Sequence, residues 1–167
     1  MIVTNVAKDP HKAQLSITTE FDAPVERAWR LWADPRQLER WWGPPGYPAT
    51  FVEHDLRPGG TVTYFMSGPE GEQFHGWWRI VDATAPERLS FDDGFADEHG
   101  KHNEELPVTH VAVALTARAE GGTRMTIDSR FASPEAMEQL LAMGMEEGLV
   151  AALGQIEALL LEDSRTG

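Results

Sequence analysis

The sequence predicts an α+β fold: an antiparallel sheet with one long C-terminal helix lying across it. Three observations carry that expectation. Alternating apolar and polar runs, rich in β-branched residues, recur at hairpin distance through the middle of the chain. Two short helical patterns interrupt them near the start. The chain closes on an amphipathic segment with apolar residues every three or four positions. A sheet with one apolar face and a helix with one apolar stripe bury both by packing together.

Residues 1–14 read as an N-terminal arm, and residues 15–163 as a single domain. Leu15–Phe21 alternates as a strand, and Asp22-Ala23-Pro24 stops it. Asp22 is placed to cap a helix and Pro24 to occupy its first position. Val25, Ala28, Trp29 and Trp32 follow at helical spacing. Asp34-Pro35 opens a second short helix with Leu38, Trp41 and Trp42 on its apolar side, and Gly43-Pro44-Pro45-Gly46 ends it. Strands are expected over Ala49–Leu56, Thr61–Met66, Gln73–Thr84, Glu87–Phe95, Val108–Ala119 and Thr123–Phe131, parted by Gly- and Pro-rich turns. The stretch Asp92–Leu106 overlaps the end of one of these and reads mostly as a solvated, mobile acidic loop. Ser133 caps the final helix, Pro134 fits its first turn and Glu135 suits its positive end. Met137, Leu141, Met145, Leu149, Ala152, Ile156 and Leu160 carry it to about Leu161, or about seven or eight turns. Gly144 and Gly148 fall inside it. They allow either close approach to the sheet or deliberate space.

Composition narrows the function classes. The 167 residues include 27 acidic and 14 basic side chains, for a net charge of -13. That balance disfavours nucleic acid and anionic membranes, which need basic patches. There is no cysteine, hence no disulfide framework and no thiolate chemistry. No apolar run has the length of a signal or a membrane span, so a cytoplasmic location is the expectation.

A set of short motifs then gives a resemblance. Phe21-Asp22-Ala23-Pro24-Val25-Glu26-Arg27-Ala28-Trp29, Trp41-Trp42-Gly43-Pro44 and Pro58-Gly59-Gly60 come first. Pro69-Glu70-Gly71, Pro86-Glu87-Arg88-Leu89-Ser90-Phe91, Gly121-Gly122-Thr123-Arg124-Met125-Thr126 and Met145-Glu146-Glu147-Gly148-Leu149 follow in order. Together they resemble the homologues of the activator of 90-kDa heat shock protein ATPase, within the START-like (SRPBCC) superfamily. The resemblance implies a helix-grip fold: a curved antiparallel sheet around a long C-terminal helix, two short helices after the first strand, and a deep apolar cavity. Strand parity then gives the expected walls of that cavity. They are Trp41 or Trp42, Phe51, Tyr64 and Met66, then Phe74, Trp78 and Phe91, with Met145, Gly148 and Leu149 on the helix. Trp41 and Trp42 read as a lid over it, against the plainer reading of caps on the core.

Catalytic machinery is not evident. His99 and His102, with Glu98, Glu104 and Glu105, match no zinc frame, so neither a metal nor a cofactor is expected. His54, His75 and His110 read as surface residues. Asp93 shares parity with Leu89 and Phe91 and is placed to reach the cavity rim. Three functions follow. One is a binding protein for an apolar or aromatic small molecule. Another is a START-like enzyme of the cyclase or hydratase sort, using Tyr64, Asp93 or Ser129. The third is a co-chaperone-like module with a chaperone or homodimer partner. The co-chaperone after which the family is named has an additional N-terminal domain, and nothing in this sequence is left over to supply one, which argues against chaperone activation.

Overall fold

The computed structural model describes residues 3–166, with side chains as far as Glu162. Eight strands form one antiparallel sheet. They are β1 (Val3–Asp9), β2 (Gln14–Phe21), β3 (Ala49–His54), β4 (Thr61–Ser67), β5 (Gln73–Thr84), β6 (Arg88–Ala96), β7 (Thr109–Ala117) and β8 (Thr123–Arg130). Their order is β1-β2-β8-β7-β6-β5-β4-β3. The helices are α1 (Val25–Ala33), α2 (Pro35–Trp41), α3 (Pro134–Ala142), α4 (Met145–Leu153) and α5 (Ile156–Thr166). This is the helix-grip α+β architecture. Helices α1 and α2 carry the chain from β2 to the far edge strand β3, with α1 lying against β7 and α2 against β3. Pairing shifts register in β1, β3 and β5, and such bulges bend a sheet.

Several sequence expectations need correction. Within the supposed arm, Val3–Asp9 is an edge strand paired along β2; residues 1 and 2 lie outside the described residues. The register shift between Val3 and Asn5 breaks the two-residue period, so Val3 and Val6 pack on the core at a spacing that does not look like a strand. Asp22 does not cap α1: its side chain is fully exposed and Pro24 stands at the cap position.

The long helix is in fact three segments, with turns after Ala142 and Leu153. Gly144 has φ +90°, a left-handed conformation that closes one helix and opens the next. The buried face accordingly runs through Met137 and Leu140 before the turn, and Leu153, Ile156 and Leu159 after it. Ser133 caps α3 as expected, its Oγ accepting from the Ala136 N–H at 3.0 Å.

Gly148 answers the question of close approach. A Cβ built there meets no atom within 4 Å, and its φ is ordinary. Gly148→Ala is therefore expected to gain helix propensity without overpacking. The stabilisation should be up to about 1 kcal/mol, or about 2–4 °C in thermal midpoint. A lower midpoint in calorimetry would mean that the glycine is required by a contact.

The expected inward strand residues do form the core, including Val62, Trp78, Ile80, Leu89 and Phe91. Phe74 is the exception: it is 54% exposed, near the end of its strand, with Tyr47 as its one aromatic neighbour among the described residues. Trp77 is buried on the opposite face, stacked at 4.0 Å on His102. Its indole N–H donates to the Phe95 carbonyl at 3.0 Å. A Cβ at Gly94 would meet that indole at 2.4 Å, so glycine is what lets the ring lie flat on β6. The acidic segment is thus folded onto the sheet through His102, and Asp92–Ala96 belongs to β6 rather than to a loop. His54 also departs from a surface role: its Nε2 lies 2.9 Å from the Trp32 carbonyl oxygen and ties β3 to α1.

Candidate functional site

A cleft of about 230 Å³ opens between the sheet and the α3–α4 turn. Tyr64, Asp93, Phe95 and Thr109 supply the sheet side, and Leu140, Met143, Gly144 and Met145 the helix side. The left-handed turn at Gly144 makes this space. It ends α3 early, and Met143, Gly144 and Met145 all line the opening.

The polar floor is assembled across four adjacent strands. Tyr64 on β4 pairs with Gly76 on β5, Trp78 on β5 with Asp93 on β6, and Asp93 with Thr109 on β7. A Cβ at Gly76 would fall 2.5 Å from the Tyr64 ring. The missing side chain lets the ring lie across β5, so its hydroxyl reaches the next strand and donates to Asp93 Oδ1 at 3.2 Å.

Behind this pair stands a wall of rings. Trp78 stacks on Phe91 at 4.1 Å and meets Trp42 edge-on at 5.0 Å, while Phe51 stacks on Tyr64 at 5.1 Å. The indole N–H groups of Trp42 and Trp78 lean toward the Tyr64 oxygen, and that of Trp78 also toward Asp93. Both stop short of hydrogen-bond geometry and are buried without an acceptor.

Burial pushes the Asp93 carboxyl up to about 7, with the Tyr64 hydroxyl and the Trp78 indole pulling the other way. Asp93 is walled by protein on most sides yet keeps some accessible surface through the cleft. Burial, and then the neighbouring Asp93 charge, raise the Tyr64 phenol well above its ordinary value, so it stays a neutral donor. Among the described residues, no group of three or more His, Asp or Glu side chains is placed to hold a metal ion.

Of the expected cavity walls, Tyr64 and Met145 line this cleft. Trp41, Trp78 and Phe91 have no exposed surface and sit in the core, and Phe51 is nearly as buried. Trp41 is fixed by its indole N–H donating to the Leu31 carbonyl at 2.9 Å. Trp42 lies behind Tyr64, so neither tryptophan of the Trp41-Trp42 pair forms a lid over the cleft. Their loop is instead tied to the α4–α5 turn, where Gln155 Nε2 donates to the carbonyls of Trp41 and Gly43. Met66 and Leu149 pack on the core; neither they nor Gly148 and Phe74 line the cleft. Ser129 is buried on β8, away from it. Phe95 and Thr109 were missed. Parity with Asp93 could have found the first, and the Asp93–Thr109 pairing the second.

The model for the family described as Activator of Hsp90 ATPase homolog 1-like protein matches residues 22–161. The chain belongs to that family. Its fold recurs in solved structures. The crystal structure of protein Ms6760 from Mycobacterium smegmatis is 52% identical, with a TM-score of 0.88 over 95% of this chain and 96% of the other. A solution structure of an Arthrobacter aurescens protein is also 52% identical, with a TM-score of 0.91 over 96% and 92%. A Rhodobacter sphaeroides protein at 25% identity keeps the fold, with a TM-score of 0.81 over 95% and 98%. A search of curated proteins finds no match. START-like folds commonly bind hydrophobic ligands. Among the described residues, no helix is long and apolar enough to cross a membrane.

Proposed function

We propose that this protein binds an apolar or aromatic small molecule in the cleft between the sheet and the α3–α4 turn. The observation that carries this reading is the cleft's make-up: Phe95, Leu140, Met143 and Met145 as apolar walls around the paired Tyr64 and Asp93. Small-molecule sites combine such walls with a few convergent polar groups. The methionines, one of them 55% exposed, give the mouth an adaptable surface. At about 230 Å³ the space suits one ring with a short chain, below the usual range for drug-sized ligands. The family is associated with Hsp90 or with ligand binding, and the cleft supports the second.

Native mass spectrometry of freshly purified protein is expected to show a small adduct, and an apolar fluorescent probe to bind. Met145→Trp fills the mouth and should lower probe affinity at least ten-fold while the thermal midpoint stays within a few degrees. Equal probe binding by parent and variant would place the ligand elsewhere.

A second reading follows from one feature of the floor. A carboxyl titrating near neutrality beside a phenol suits proton transfer, so a bound ligand could also be a substrate. Its test is turnover of the co-purified molecule by the protein, lost in Asp93→Asn.

A further inference from the structure

We propose that the cleft selects an apolar molecule that carries one protonated nitrogen, and that this cation pairs with Asp93. The inference rests on the reading of the cleft as a ligand site and names the chemistry of the ligand.

Tyr64 donates its O–H to Asp93 Oδ1, and the buried Trp78 indole N–H leans toward the same group without another acceptor. Both neighbours offer protons, as a carboxylate acceptor requires. Among the described residues, no positive charge accompanies them. The cleft is lined by no lysine, arginine or histidine, and among the described residues none makes an ion pair with Asp93. By contrast, Glu146 on α4, next to the lining residue Met145, pairs with Lys8 at 2.8 Å. Asp93 is thus a partly buried carboxyl with one hydrogen-bond donor in place, Tyr64, and with no counter-charge among the described residues.

An isolated buried carboxylate is costly, and a cation brought in by the ligand offsets that cost. The walls suit such a molecule. Phe95 and Tyr64 present aromatic surface beside the acid, which favours a cation over their faces. The same arrangement works against fatty acids and other anionic amphiphiles, whose carboxylate would meet Asp93 in an already acidic protein.

The inference has a pH signature. The titratable groups facing the cleft are Asp93 from β6 and Tyr64 from β4; Thr109 from β7, Leu140 from α3, Met143 from the turn and Met145 from α4 do not titrate, nor does Trp78 of β5, which is buried in the core behind them. Tyr64 stays protonated throughout the working range. Cation binding therefore strengthens as pH rises through the titration of Asp93.

The test uses two probes of one shape, 2-phenylethylamine and 2-phenylethanol, titrated into the intact protein by calorimetry or ligand-observed NMR. At pH 8.5 the amine is expected to bind at least ten-fold more tightly than the alcohol. At pH 5.5, with Asp93 protonated, that preference should shrink to about two-fold or less. Asp93→Asn should abolish the preference at both pH values, and the pH dependence of the parent gives the same answer should that variant fold poorly. Equal binding of amine and alcohol at pH 8.5 overturns the cation assignment and leaves the pocket standing. So does binding of the apolar probe when neither phenyl compound binds. Absence of binding by all three overturns the pocket reading itself.

Discussion

Trp78→Ala is expected to cost about 3–5 kcal/mol of stability. Trp78 has no exposed surface. It stacks on Phe91, meets Trp42 edge-on, and lies within 6.1 Å, ring centre to ring centre, of Phe51, Tyr64 and Trp32. It therefore joins β3, β4 and β6 to both short helices. Removing the indole leaves a cavity that five rings cannot fill together, since each is held by its own strand or helix. Part of the cost is returned because the buried, unpaired Trp78 N–H goes as well. Phe74→Ala, on the same strand and with the same inward parity, should change stability by no more than about 0.5 kcal/mol, because that ring is exposed. Urea unfolding of the two variants checks both values. Similar losses at the two positions would mean that parity, rather than burial, sets the energetics of β5. Losing Trp78 also frees Tyr64 from behind, so weaker probe binding is expected in whatever fraction remains folded.

The sheet was legible because seven of its strands alternate cleanly, or nearly so, between faces and are parted by Gly and Pro turns. The eighth, β1, was hidden by a bulge that moved its apolar residues out of the two-residue period. The helical region was legible as helix but not as three segments. Apolar spacing of three and four residues continues through a single left-handed residue, and Gly144 gives no local sign of its φ. That one turn decides where the cleft lies. An unbroken helix with the same apolar spacing is expected to put Met145, Gly148 and Leu149 on one cavity wall together. With the turn, the opening shifts toward Phe95 and Thr109. Tyr64 and Asp93 could be read inward from parity, but their meeting depends on the bare backbone of Gly76 between them. A glycine in a strand signals a close approach without naming what approaches.

The second large effect is one of pH. Asp93 titrates near 3.8 when exposed and is pushed to about 7 in the fold. Between those values the folded protein holds a proton that the unfolded chain has released, so stability falls as pH rises. The stabilisation attached to that proton is complete below about pH 4, declines through the interval, and is gone above about pH 7, where both states are ionised. A difference of about three pH units corresponds to about 4 kcal/mol. Because Asp93 keeps a surface toward the cleft, about 2–4 kcal/mol is the expected span. Other acids work in the opposite direction. The Arg57 guanidinium holds Asp55 below its ordinary range, and the backbone N–H groups of Lys101 and His99 do the same for Asp97, so their contributions are lost as pH falls. Those terms persist unchanged in Asp93→Asn, whose amide oxygen still accepts from Tyr64. The difference between parent and variant therefore isolates Asp93. Urea unfolding at half-unit steps from pH 4 to pH 8.5 should give curves separated by a constant offset at the acid end. They should diverge with rising pH and end with the variant about 2–4 kcal/mol better off relative to that offset. Parallel curves across the whole range would show that the carboxyl is solvated as in the unfolded chain, and would remove the physical basis for a charge-selective floor.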